Sequence, residues 1–299
     1  MNRSFPKAQL LLILPLLTGP AAHAQSALKR KAPVSQFEYS AKGEKVLWRE
    51  ASGMEARELF YGSGGREHQP RGATFQFGKE DPDGTNPKFT VRDADGVKWK
   101  IKLGAEARPE TVATRLVWAA GYFTDEDYFL PEVRVEGLPA KLHRGQNLVE
   151  PGGVLRNARL ERDLPDEKKM GIWKWKDNPF AGTREWNGLR VLMALMNNWD
   201  LKNENNAVYR AKTKDGERLL YVVSDLGATF GPTRLDLHRR TDKGDLATYR
   251  RTSFIRRTRE QDVDFSTPGL PSPIFIFMPV DYFRRAGLTW TGRHVPRAD

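Results

Sequence analysis

Residues 88–103 (Lys-Phe-Thr-Val-Arg-Asp-Ala-Asp-Gly-Val-Lys-Trp-Lys-Ile-Lys-Leu) leave the backbone little choice. Phe89 and Val91 alternate on one side before Asp95-Gly96. Val97, Trp99, Ile101 and Leu103 alternate after it, with Lys98, Lys100 and Lys102 on the opposite face. Strand side chains alternate between faces, and Asp-Gly is a turn pair, so this stretch is a hairpin with an apolar face and a lysine face. Thr74–Gly78 adds a short strand before it, followed by a turn over Lys79–Pro87. After Gly104 the period changes. Ala105–Ala120 reads as a helix, with Pro109-Glu110 in its first turn and Val112, Leu116, Val117 and Ala120 as its buried stripe.

A second organised region follows. Thr183 is an N-cap for a helix whose apolar run is Leu189, Leu192, Met193, Met196 and Trp199. It ends in a polar stretch, Asn197 to Asn206. Strands over Ala207–Ala211 and Arg218–Val223 flank Asp215-Gly216, and Asp225-Leu226-Gly227 comes next. A helix thus delivers Asp200 into a polar loop, and a strand delivers Asp225 onto a glycine turn. Lys202 adds a cation and Asn205 a neutral oxygen ligand. Phosphoryl transfer needs a positioning carboxylate, magnesium ligands and fixed positive charge near the phosphates. Magnesium takes oxygen ligands and few of them from protein, so Asp225 and Asn205 suffice.

Asp200-Leu201-Lys202-x-Glu204-Asn205 resembles the catalytic loop of protein kinases, and Asp225-Leu226-Gly227 resembles their metal-binding Asp-Phe-Gly. Asn198-Trp199 stand where His-Arg usually precede the Asp, and no Ala-Pro-Glu follows. The nearer likeness is to atypical members of the superfamily: HipA-type bacterial kinases, secretory-pathway kinases and lipid-kinase relatives. The resemblance implies Asp200 as the catalytic Asp, Lys202 as a phosphate-contacting Lys, and Asn205 and Asp225 as metal ligands. It also makes Lys102 the lysine of the nucleotide α/β-phosphates and Glu110 its helix partner, with Lys100 and Glu106 as substitutes. Its cofactors are ATP with Mg2+ or Mn2+.

The rest of the chain bounds these readings. The formal net charge is +11, which favours polyanionic company, and Arg250, Arg251, Arg256, Arg257 and Arg259 cluster behind His238-Arg239-Arg240. The absence of cysteine excludes disulfides, Cys-ligated zinc and a thiol nucleophile. Five scattered histidines show no metal spacing, and no Gly-x-Ser-x-Gly occurs. Residues 1–24 read as a secretory signal, cleaved after Ala24, with an apolar run too short to span a bilayer. Trp48–Leu59 carries a helix-like patch. Gly62-Ser63-Gly64-Gly65 has the look of a phosphate loop but no helix pattern behind it, and reads as a flexible linker. Tyr128–Val135 contains Pro131 and reads as an edge strand or hinge. Trp173-Lys174-Trp175-Lys176 suits either a base-stacking surface or a half-buried strand. Residues 233–264 are basic and read as a loop or helix over the cleft. Pro268, Pro271, Pro273 and Pro279 break the chain before a short last helix, Asp281–Ala286.

The expected fold is α+β and bilobal, protein-kinase-like: an N-lobe antiparallel sheet plus helix and a reduced helical C-lobe. The expected divisions are a signal over 1–24, an extension over 25–70, an N-lobe over 71–138 and a C-lobe over 139–299, with the boundary at Gly137-Leu138-Pro139. The expected function is a secreted or periplasmic kinase-like enzyme moving the ATP γ-phosphate to a hydroxyl of a protein, lipid or sugar. The alternatives are a pseudokinase binding module, a nucleotidyl transferase, and a basic envelope protein that binds polyanions through its arginine cluster. No transmembrane helix is expected in the mature chain.

Overall fold

The computed structural model describes residues 42–50, 53, 57–83, 86–164, 168–198, 200–214, 216–231, 243–265 and 294–296. The signal region, Trp199, Asp215, Pro232, His238-Arg239-Arg240, the four downstream prolines and the last helix expected from sequence lie outside them. The described elements run in this order: β1 (Glu44–Val46), β2 (Thr74–Asp81), β3 (Lys88–Arg92), β4 (Lys98–Lys102), α1 (Ala107–Ala119), β5 (Phe123–Thr124), β6 (Asp127–Glu136), β7 (Val149–Glu150), β8 (Val154–Arg162) and β9 (Lys168–Gly171). They continue with α2 (Arg184–Leu195), β10 (Asn206–Thr213), β11 (Gly216–Val223), α3 (Leu246–Tyr249), β12 (Ile255–Thr258), β13 (Asp262–Phe265) and β14 (His294–Pro296).

The hairpin forms where the alternation puts it. Phe89 pairs with Ile101 and Val91 with Trp99 across β3 and β4. Asp93 shapes the turn: its Oδ1 accepts from the Asp95 and Val97 amides at 3.0 and 2.9 Å, and its Oδ2 from the Trp99 indole at 2.9 Å. Gly96 takes the positive φ of +78° that this turn needs. The strands then close into a barrel, in the order β4, β3, β2, β6, β8 and back to β4. The β2–β6 pair is parallel and the others are antiparallel. Phe75, Phe89, Val91, Trp99, Ile101 and Leu160 belong to one fully buried cluster, as a five-stranded barrel too narrow for a channel requires. Pro131 costs no ladder bond, because β2 pairs with β6 only over Arg134–Glu136. Around Pro131 this segment thus has β8 on one side only, as the edge-strand expectation requires, and it becomes an internal barrel strand from Arg134 on.

A second sheet has the order β1, β11, β10, β9, with β5 also on β11. Its core holds Trp173, Trp175, Trp186, Leu189, Met193 and Tyr221, joined by Ala113 and Val117 of α1. Trp173 is 0 % exposed and Trp175 3 %, and their rings pack against each other and Trp186. The base-stacking alternative falls, since those faces are already covered. Thr183 caps α2 as expected, its Oγ1 accepting from the Trp186 amide at 3.1 Å. The basic stretch after Lys243 forms α3 and a small sheet, β12–β13–β14.

This architecture overturns the bilobal protein-kinase-like expectation. Strand takes 37% and helix 19% of the described residues, which contain three α-helices, and the first sheet is a closed five-stranded barrel. Ladders run straight through the expected lobe boundary. β8, from beyond Gly137-Leu138-Pro139, pairs with β4 and β6 to close the barrel. β1 and β5, from before it, pair in parallel with β11. Local patterns also give way in two places. Trp48 forms an isolated bridge with Tyr122 and residues 57–60 are not helical. Gly62–Gly64 is a 3-10 turn, fixed by the Ser63 hydroxyl on the Asp125 carbonyl at 3.1 Å and the Tyr128 hydroxyl on the Gly65 carbonyl at 2.9 Å, and not a loose linker.

Candidate functional site

The outer wall of the barrel carries the polar residues that alternate with its apolar lining. Register aligns them: Lys88 lies opposite Lys102 across β3 and β4, Lys102 opposite Arg159 across β4 and β8, and Lys100 opposite Glu161. Helix α1 covers part of this wall, and it does so with an unexpected face. Val112 and Leu116, expected inside, are 49% and 41% exposed, whereas Glu110, Thr111 and Thr114 are buried. The helix turns its carboxylate inward because the wall beneath it is cationic. Burial of an unpaired cation costs far more than exposure of two aliphatic side chains.

Lys102 is the hub. Its Nζ lies 2.5 Å from Glu110 Oε2, 2.7 Å from Asp225 Oδ1 and 3.4 Å from Glu106 Oε2. Arg159 holds the other Glu110 oxygen at 2.7 Å and also reaches Asp127 Oδ1 at 3.1 Å and Glu161 Oε2 at 2.9 Å. Thr114 donates to Asp127 at 3.0 Å. Lys100 pairs with Glu161, and Lys243 pairs with Glu106. The sequence-derived pair Lys102–Glu110 therefore forms, Glu106 joins it, and Lys100 has a partner of its own. Arg159, Asp127 and Glu161 escaped the sequence reading. Only the β4–β8 register brings Arg159 beside Lys102, and no local motif encodes that register.

Charge states follow from these contacts. Burial alone would pull the Lys102 ammonium down, but Glu110 and Asp225 outweigh it and hold it well above its ordinary range. Burial pushes Glu110 up, to about 7, against the pull of Arg159 and Lys102. With a cation on each oxygen, the anion is the form this geometry serves. Burial would raise Asp225 too, yet Lys102, with smaller help from Lys88 and Lys202, holds it well below the usual carboxylate range.

Asp225 sits just past the end of β11 with φ +53°, a left-handed conformation that aspartate tolerates better than most residues. The turn is held from both sides. Leu226 is buried, and the Thr229 hydroxyl donates to the Leu226 carbonyl at 3.0 Å. A Cβ on Gly227 would come within 2.7 Å of the Glu106 Cβ, so the glycine is needed for close approach to α1. A backbone conformation of this kind persists only where surrounding contacts over-determine it.

The polar loop after α2 completes the site. Asn197 takes φ +53° just past the helix end, and its amide donates to the Gly231 carbonyl at 2.9 Å. Asn198 Oδ1 accepts from the Asp200 amide at 3.0 Å, and Asn203 Oδ1 from the Trp175 amide at 3.0 Å. Asp200 Oδ2 pairs with Lys202 Nζ at 2.7 Å. Asn205 Nδ2 donates to the Asp200 carbonyl at 3.1 Å. A cavity of about 290 Å³ is lined by Lys88, Lys102, Glu110, Asn205 and Asp225, among others. A second cavity of about 450 Å³ shares Lys100, Asp125, Glu161, Lys169 and Tyr209 with it. Four of the six residues singled out from sequence (Lys102, Glu110, Asn205 and Asp225) thus line one cavity, and Asp200 with Lys202 forms a pair linked to it through Asn205.

The carboxylates of Glu106, Glu110 and Asp225 lie within 4.8 Å of one another, a spacing that suits a metal ion. The Lys102 ammonium already touches all three, so the cation of that cluster is the lysine. Asp225 and Asn205, both on the cavity wall, are the oxygen donors that fit a hard cation there. Elsewhere, Arg250, Arg251, Arg256 and Arg257 are exposed, while Arg259 is tied to Asp262 and to Asp264 at 2.8 Å. No described helix is long and apolar enough to cross a membrane.

Comparison with known proteins gave no match to a family model, to a curated protein or to a solved structure.

Proposed function

We propose that this protein is an ATP-dependent phosphotransferase with a kinase-like set of reacting groups, acting outside the cytoplasm on a hydroxyl acceptor. The observation that carries the reading is the Lys102 ammonium held between Glu110 and Asp225, groups 123 positions apart at the extreme, on the wall of a cavity that Asn205 also lines. An aimed lysine beside a strained aspartate turn is what phosphate recognition requires.

In this reading Lys102, steadied by Glu110, grips the nucleotide phosphates. Lys202 neutralises charge beside Asp200, and the Asp200 carboxylate orients the acceptor hydroxyl and receives its proton. Asp225 and Asn205 would hold Mg2+ or Mn2+, which when bound supplies charge neutralisation for the phosphates. The test is product analysis with residues 25–299, ATP and Mg2+ or Mn2+, beside Asp225→Ala. ADP formed by the parent and lost in the variant supports transfer of the γ-phosphate. AMP with a nucleotidyl adduct would change the reaction to nucleotidyl transfer. Nucleotide-dependent thermal stabilisation without turnover would leave a binding module, and neither signal would refute the reading.

The exposed Arg250, Arg251, Arg256 and Arg257 favour a second reading, polyanion binding. It predicts binding that survives Asp225→Ala and weakens steeply with salt.

A further inference from the structure

We propose that Lys88 is a phosphate-binding residue of this site, gripping the polyphosphate of a nucleotide beside Asp225. The inference deepens the function proposed above and rests on it. One rung of the barrel runs Asp81, Lys88, Lys102, Arg159 across β2, β3, β4 and β8, so three cations stand in adjacent register positions on the same outer wall. Like charges directly opposite one another across a strand pair are destabilising unless something neutralises them. Two of the three are neutralised. Lys102 has Glu110, Asp225 and Glu106, and Arg159 has Glu110, Asp127 and Glu161.

Lys88 has no ion-pair partner among the described residues. Its cross-strand neighbour Asp81 accepts the Asp83 amide at 3.0 Å within its own turn. Yet Lys88 is half-buried, lines the same cavity as Asp225 and Asn205, and its charge acts on Asp225. A cation placed against another cation, half out of water, with no ion pair and only the longer-range pull of Asp225, is a site for an anionic ligand. That ligand is a phosphate chain lying along the cavity wall, taking a charged hydrogen bond from Lys88 and short-range positive charge from Lys102, whose three donors already serve Glu110, Asp225 and Glu106.

The test compares the parent with Lys88→Gln and Lys88→Arg, by titration calorimetry with Mg·ATP, inorganic tripolyphosphate and adenosine, and by thermal melts without ligand. Lys88→Gln is expected to weaken ATP and tripolyphosphate by about tenfold or more, as loss of one charged hydrogen bond implies, with adenosine unchanged. Lys88→Arg is expected to retain most of the affinity. The unliganded melting temperature of Lys88→Gln should stay close to the parent's, because Lys88 makes no ion pair and its pull on Asp225 is small beside that of Lys102. A structural lysine would lower it, and that result overturns the proposal. ATP binding by Lys88→Gln equal to the parent's overturns the proposal alone and leaves the phosphotransferase reading intact. Lys88-dependent binding of ATP and tripolyphosphate without turnover upholds it and removes that reading. A parent that binds neither phosphate ligand removes both.

Discussion

Replacing Glu110 with glutamine tests whether the buried ion network is the keystone of this structure. Glu110 is 0 % exposed and presents one oxygen to Lys102 at 2.5 Å and the other to Arg159 at 2.7 Å. Glutamine has the same shape, but it must turn its NH2 toward one of those two cations, which themselves only donate. Breaking a buried pair by removing one partner costs about 3–5 kcal/mol. Lys102 keeps Asp225 and Glu106, and Arg159 keeps Asp127 and Glu161, so the lower end applies, about 3 kcal/mol. For a chain of this size that lowers the melting temperature by about 5 °C. Urea denaturation and thermal melts at pH 7 read both numbers. The double variant Glu110→Gln/Lys102→Met should lose less than the sum of the two single variants, with a coupling of about 1–3 kcal/mol. A loss below about 1 kcal/mol, or strict additivity in the double variant, would refute the claim that inward-facing Glu110 is held by the cations beneath it.

Three other outcomes are expected. Trp173→Ala removes a fully buried ring packed edge-on and tilted among Trp175, Trp186 and Tyr221 and should cost about 3–5 kcal/mol; a near-neutral effect would mean the tryptophan core is wrongly described. Thr183→Ala deletes the α2 cap and should cost about 1 kcal/mol by denaturant titration, with Thr183→Ser restoring it. Asp225 is held below its ordinary range in the fold, so its ion pair stabilises at neutral pH and that contribution is lost as pH falls. The stability gap between the parent and Asp225→Asn should therefore be level above about pH 5 and shrink below about pH 4, near the unfolded carboxylate value. A gap that instead opens on acidification would contradict the Lys102–Asp225 pair.

The residues of the site were more legible than the fold around them. Asp200, Asn205 and Asp225 announce themselves by residue type and spacing, and Lys102 and Glu110 by their place on a strand and the helix after it. The helix face was not legible. Val112 and Leu116 look like a core stripe, because hydrophobic period alone does not know that the facing wall is lined by Lys102 and Arg159. Trp173 and Trp175 illustrate the converse, where alternation with lysine suggests a surface and packing against Trp186 makes a core.

Sequence by itself determined the β3–β4 hairpin with its Asp-Gly turn, the capped start of α2, the β10–β11 pair and the glycine turn after Asp225. Each is set by interactions among residues a few positions apart. Only the tertiary structure decided that β4 pairs with β8 to close the barrel and that β1 and β5 join β11. It alone decided that Arg159 sits beside Lys102 and that Lys88 stands opposite Lys102 without an ion pair of its own. The physical reason is that register between distant strands is chosen by the summed burial and pairing of whole faces, and no short stretch of chain contains that sum.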